Sequence, residues 1–145
     1  MPLPRPAPGL VISYAYLWRH EHRRGREEGA KARPCAIVLA IEGEADDVVV
    51  TVAPITHSAP ADLALAVALP AKVKRHLGLD DERSWIMADE VNRFIWPGPD
   101  LRPISRADPG RFDYGFLPVD VFDALRRKIV ALYNAHRLAI TRRSE

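Results

Sequence analysis

The order of apolar and polar positions predicts short strands, one short helix and a terminal helix. Residues 10–18, LVISYAYLW, are β-branched and aromatic and predict a first strand. Residues 35–42, CAIVLAIE, form a continuous apolar run that predicts a central strand. Residues 47–53, DVVVTVA, predict a third strand closing at Pro54. In residues 63–69, LALAVAL, large and small apolar side chains alternate, as in a strand of a small barrel. The stretch PAKVKRHLG then changes character. Pro70 suits a first helical position, Gly78 suits the stop, and Val73 and Leu77 share one face, so a two-turn helix is predicted. Residues 84–96, SWIMADEVNRFIW, predict one long bent strand or two short ones. Residues 97–116, rich in Pro, Gly and Asp, predict an ordered linker. In LPVDVFDALRRKIVALYNAHR, residues Val119, Phe122, Leu125, Ile129, Leu132, Tyr133 and His136 recur at helical spacing. Pro118 and Asp120 fall in the first turn of that helix, where both are favoured.

This order predicts an α+β, mainly β fold: a small, mostly antiparallel barrel capped by helices. The chain of 145 residues predicts one domain, with residues 1–8 as an extended proline-rich lead-in. No βαβ alternation and no glycine-rich phosphate fingerprint occurs, which excludes the common nucleotide-binding folds.

Charge changes the picture by its placement. The formal net charge is only +2. Yet residues 19–33, RHEHRRGREEGAKAR, hold six Arg or Lys against three Glu, and Arg137, Arg142 and Arg143 add positive charge near the C-terminus. Such clusters suit an anionic partner such as nucleic acid, or a solvated loop and tail. A charged loop of that length inside a domain points to function or mobility. Cys35 is the only cysteine, so it forms no intrachain disulfide, and a cysteine-held zinc is excluded; it reads as a small core residue. No apolar run approaches the ~20 residues of a membrane span. The N-terminus lacks the apolar segment of a signal peptide, so a cytoplasmic protein is expected.

Candidate chemistry gathers at strand ends beside the basic loop. Pro34 holds Arg33 extended, where its guanidinium can present a planar fork to a phosphate or pair with a carboxylate at the barrel edge. In VAPITHS, Thr56 can close a turn or orient a phosphate oxygen. His57 can titrate or simply sit at the surface. Asp89 and Glu90 interrupt WIMADEV, and one of the pair must face inward or toward a cleft, to take a proton or to pair with an arginine. His20 and His22 lie among arginines, which disfavour a metal there.

Taken in order, these residues resemble the MazF/PemK family of toxin endoribonucleases. Gly9 precedes the first strand. GREEGAKARPCAIVLAI resembles the family's Gly-x-Glu-Gln-x-Gly-x-Arg-Pro loop and apolar strand, through Gly25, Glu27, Glu28, Gly29, Arg33 and Pro34. Pro54-Ile55-Thr56 and Ala88-Asp89-Glu90-Val91 match the family's later motifs, and the terminal helix also fits. The resemblance covers nearly the whole chain. It implies an SH3-like barrel, usually a homodimer, that cuts single-stranded RNA with no metal or other cofactor and is neutralised by a cognate antitoxin. It places Arg33 and Thr56 at catalytic positions and Asp89 where one branch of the family has its base; Arg26, Glu28, Lys31, His57 and Ser58 are read as RNA-binding candidates beside them, and no family motif assigns His57 a role. Three positions depart from the family. Leu10 stands where many members have aspartate, and Glu28 where glutamine is common. Met87 stands where the branch using an aspartate base has arginine, which shifts the weight to Arg33 and Thr56.

The implied reaction uses the RNA's own 2′-hydroxyl as nucleophile, leaving a 2′,3′-cyclic phosphate and a 5′-hydroxyl. Such cutting of mRNA would stop translation and growth. Trp18, His20 and His22 can stack bases, and Trp18 can equally pack in the core. Two other readings stay open on the residues alone. One is a CcdB-like toxin of the same fold that binds gyrase; the other is a decayed barrel that only binds RNA or antitoxin.

Overall fold

The first strand, β1 (Leu10–Tyr14), is buried at all five positions in the computed structural model, which describes residues 3–25 and 31–143. Leu10, Ile12 and Tyr14 pack on one side with Cys35, Ile37, Val52 and Phe94. Val11 packs on the other with Ala36, Ala53, Ile55 and Leu125. Apolar partners on both faces explain why the strand does not alternate; its one polar side chain, Ser13, is buried as well. Tyr14 stacks on Phe94 with centroids 4.5 Å apart, a pair worth about 0.5–1.5 kcal/mol beyond its buried area.

The remaining strands and α-helices are α1 (Arg19–Arg23), β2 (Arg33–Glu42), β3 (Val48–Thr56), β4 (Ala66–Ala68), α2 (Ala71–Leu77), β5 (Trp85–Met87), β6 (Glu90–Ile95), β7 (Asp113–Phe116), α3 (Val119–Asn134) and β8 (Ala139–Arg142), and short 3-10 turns lie at Glu44–Asp46 and Leu63–Leu65. The eight strands form one sheet in the order β4-β5-β3-β2-β1-β7, with β6 against β3 and β8 against β6. Every ladder is antiparallel except β6 with β8. The α+β class expected from the sequence holds. The sheet is not closed, however: its ladders end at the short strands β4, β7 and β8.

Strand β3 organises this sheet. Along one side it pairs with β2. On the other it pairs with β6 over Val49–Val52, then with β5 at Ile55 and Thr56. Pro54 sits in the gap between these two partners, where its missing N–H costs no bond on that side. The strand therefore continues through Pro54 to Thr56 and does not close at the proline.

Three further expectations shift, and the two alternatives for residues 84–96 are decided. The charged loop begins with α1, fixed where Glu21 Oε1 accepts the Trp18 N–H at 3.1 Å. The segment 84–96 resolves into two short strands, β5 and β6. The linker 97–116 contains β7 and lies along β1, with Ala15 N–H donating to Asp100 O and Ser13 N–H to Phe112 O, both at 2.9 Å. Helix α3 ends at Asn134, and His136 takes a left-handed φ of 57° that turns the chain into β8.

Of the C-terminal arginines, Arg143 is buried. Its guanidinium contacts Asp100 Oδ2 at 3.0 Å, Asn92 Oδ1 at 3.1 Å and Ala15 O at 2.8 Å, so its charge is spent inside the fold. Among the described residues, no helix is long and apolar enough to cross a membrane.

Candidate functional site

The ends of β2 and β3 and the β5–β6 turn border one open groove of about 650 Å³. Arg33, Thr56, Asp89, Lys31, His57 and Ser58 all line it. These are the candidates read from the sequence that fall among the described residues; Arg26 and Glu28 lie outside them. Trp18 and His20 contribute from the start of α1, and His22 is exposed elsewhere on it.

Arg33 opens β2 opposite Tyr14 of β1. Its guanidinium carbon lies 4.9 Å from the centroid of Trp18, so the indole sets the position of the fork. Trp18 in turn meets Tyr16 edge to face at 5.1 Å. Arg33 Nε is buried without a hydrogen-bond partner, a donor left unused by the fold.

Thr56 ends β3 opposite Trp85. Its Oγ1 accepts the Ser58 N–H at 3.1 Å, closing a tight turn. The hydroxyl keeps its own proton to donate. The turn and a ligand contact are thus compatible uses of one side chain.

Asp89 and Glu90 divide the two fates expected for the pair. Glu90 faces inward, where Oε1 accepts Tyr16 O–H and Arg19 N–H, both at 3.0 Å. Burial is the main cause that raises its carboxyl above the ordinary value, and burial likewise holds the Tyr16 phenol well above 10. Asp89 faces the groove, and its Oδ1 is buried with no partner. No ion pair joins Asp89 to Arg33 among the described residues.

A second charged set stands behind Thr56. His57 Nε2 is bonded to Asp80 Oδ2 at 2.9 Å, and His57 Nδ1 lies 3.0 Å from Glu82 Oε2. Buried Lys74 donates to Asp80 Oδ1 at 2.6 Å, to Ser84 Oγ at 2.7 Å and to Glu82 O. That ammonium holds the Asp80 carboxyl below the ordinary carboxylate range. His57, Asp80 and Glu82 bring three donor atoms within 4.8 Å, the span of a metal site. The Lys74 charge already occupies Asp80 and opposes a cation there.

Lys74, Asp80 and Ser84 were not singled out in the sequence. Lys74 lies on the buried side of α2, where lysine reads as a surface residue by type. The signal was the polar stretch DDER just after Gly78, which returns a carboxylate to the end of the helix.

No protein-family profile matches the chain, and no curated protein matches it. Solved structures do. MazF (Form-I) from Deinococcus radiodurans superposes with a TM-score of 0.56 at 20% identity, covering 89% of this chain and 96% of that one. The MazE-MazF (Form-III) structure from the same organism gives 0.54 at 18% identity, with the same coverage. The chain has the MazF fold. At these identities the likeness reaches the arrangement of the strands and helices. The MazF fold thus sets the strand ends that border the groove, and Arg33, Thr56 and Asp89 are what this chain presents there.

Proposed function

We propose that this protein is a MazF-family toxin that cuts single-stranded RNA within the groove. The observation that carries this reading is the convergence of Arg33, Thr56 and Asp89 on one open groove, with Arg33 Nε and Asp89 Oδ1 both unpaired. An unpaired donor and an unpaired acceptor on residues that line one groove suit a ligand that supplies both groups. RNA does so through its phosphate oxygens and its 2′-hydroxyl.

The 2′-oxygen attacks the adjacent phosphorus in line, so no metal-bound water is needed as nucleophile. Arg33 faces the non-bridging oxygens and stabilises the charge that builds on them. Thr56 donates its hydroxyl proton to one of those oxygens. The Asp89 carboxylate takes the 2′-hydroxyl proton. Trp18, which fixes Arg33, also offers a face on which a base can stack. Lys31 and Ser58 extend the RNA path along the groove, and the products are a 2′,3′-cyclic phosphate and a 5′-hydroxyl.

In the cell this activity would act on cytoplasmic mRNA, with a protein antitoxin covering the groove. A homodimer completes the reading. The hollow of about 410 Å³ between β2, α3 and β8 exposes Leu39, Val130, Tyr133 and Ile140, an apolar surface suited to a second copy.

The test is incubation with a long single-stranded RNA in EDTA, beside Arg33→Ala and Thr56→Ala variants. Cutting by the wild type that is lost in both variants supports the reading. Growth inhibition without RNA cutting would turn it toward a gyrase-binding toxin. Absence of both effects would point to a decayed barrel.

A further inference from the structure

We propose that His57 is the general acid of the reaction, protonating the 5′-oxygen as it leaves. This rests on the RNA-cutting reading above and supplies the step that reading lacks. Arginine holds its protons too firmly to serve as the acid, and a threonine hydroxyl is a weak one. His57 follows Thr56 directly and lines both the groove and a smaller hollow of about 160 Å³ behind it, each time with Arg33.

The surroundings of the ring fit the role. Each nitrogen faces a carboxylate oxygen, and each oxygen is an acceptor, so together the contacts call for a proton on both nitrogens. The two contacts differ in firmness. Asp80 is held at Oδ1 by the Lys74 ammonium at 2.6 Å and by the Glu82 N–H at 3.1 Å, which leaves Oδ2 to fix His57 Nε2. Glu82 is 66% exposed along its side chain, so its contact with Nδ1 is a weak surface pair that a phosphate-bearing strand can displace. Asp80 is therefore the positioning residue, Lys74 braces it, and Nδ1 is the nitrogen that turns to the substrate. A carboxylate behind an imidazole orients the ring in the same way elsewhere.

The step balances. The 2′-oxygen forms its bond to phosphorus while the bond from phosphorus to the 5′-oxygen breaks. The 2′-hydroxyl proton passes to Asp89, and the His57 Nδ1 proton passes to the departing 5′-oxygen. Exchange with water then returns one proton to His57 and removes one from Asp89.

The experiment uses two oligonucleotides carrying a cut site mapped with the wild type. One is ordinary RNA; the other has sulfur in place of the bridging 5′-oxygen, a leaving group that needs no proton. His57→Ala is expected to lose about 10²-fold or more on ordinary RNA and to recover to within a few-fold of wild type on the sulfur substrate. Asp80→Asn is expected to lower kcat on ordinary RNA with KM unchanged, and to recover likewise. Arg33→Ala is expected to stay defective on both. The proposal is overturned if His57→Ala cuts ordinary RNA at the wild-type rate, or if its defect is equal on both substrates. A wild type that yields no cut site when the site is mapped on long RNA overturns the RNA-cutting reading instead. Unaltered binding of the uncleavable 2′-deoxy oligonucleotide by His57→Ala shows that its groove is intact.

Discussion

The Arg33 guanidinium lies over the Trp18 indole, 4.9 Å from the ring centroid. This contact joins the start of β2 to the start of α1 and aims the fork along the groove. Without the indole, Arg33 regains its side-chain freedom and must be ordered again by each substrate. Trp18→Leu keeps apolar volume and removes the aromatic face. Its kcat/KM for RNA should fall roughly tenfold, in line with a cation–π contact of ~0.5–2 kcal/mol. Steady-state cleavage of a labelled oligonucleotide measures this, and an unchanged kcat/KM would show that Trp18 does not set the arginine.

Thr56 carries two uses that substitution can separate. Thr56→Ser keeps the hydroxyl for the Ser58 N–H and for a phosphate, and should retain most cleavage. Thr56→Val keeps the shape and removes the hydroxyl. It should lose about 10²–10³-fold in kcat, the usual cost of removing one donor to a developing oxyanion. The turn bond to Ser58, which is exposed, should cost only ~0.5–1.5 kcal/mol of stability when lost. Urea unfolding and cleavage kinetics on the same two variants distinguish the contributions.

Lys74 is buried to 4% exposure, yet its main carboxylate partner, Asp80, is half exposed. Water therefore screens part of the pair, and the cost of losing it lies below that of a fully buried one. Lys74→Met should destabilise by about 1–3 kcal/mol, mostly because Ser84 Oγ loses its donor and Glu82 O keeps only the one from Ser84 Oγ. The change would appear as a lower urea midpoint at constant slope.

How far the sequence carried depends on what each residue answers to. The strands were legible where side chains alone decide, as in the buried LVISY that begins LVISYAYLW and the buried Cys35, Ala36 and Ile37 that begin CAIVLAIE. Gly78 marked the end of α2 through its left-handed φ of 73°. What stayed hidden depends on partners distant in the chain. Pro54 reads as a strand end until β3 is seen to change partner around it. Residues 139–142 lack a strand signature because β8 is held by the neighbouring β6. Within the site, Arg33, Thr56 and Asp89 were visible as polar residues at strand ends. The His57–Asp80–Lys74 chain was not, since nothing local says that the turn after α2 folds back to the end of β3.

Glu90 gives a pH dependence with a defined sign. Burial raises its folded-state value above the ordinary 4.5, so the folded protein binds this proton more tightly than the unfolded chain. Its contribution to stability is therefore greatest at acid pH and declines as pH rises through 4.5 and on through the folded value. Glu90→Gln leaves Oε1 to accept from Tyr16 and Arg19 and removes the titration. The variant should gain stability relative to wild type as pH climbs from 4.5 toward neutrality. Denaturant melts at a series of pH values test this, and a difference that is constant across the range would show that Glu90 does not titrate with folding.

The apolar hollow between β2, α3 and β8 bears on assembly. Tyr133 is 62% exposed and Val130 46%, on a helix whose other side is packed in the core through Leu125 and Leu132. Leu39 and Ile140 continue the same apolar surface from β2 and β8. Covering such side chains with a second copy returns roughly 25 cal/mol for each Å² of apolar area removed from water. Arg126 and Arg93 also border the hollow, so a carboxylate introduced there could pair with one copy's arginine while a large aromatic surface is lost. Tyr133→Ala removes the surface without adding charge and is the cleaner probe. Sedimentation equilibrium should show a dimer for the wild type and a shift toward monomer for Tyr133→Ala, with unchanged circular dichroism. A wild type that sediments as a monomer at tens of micromolar would remove the second copy as occupant of this face.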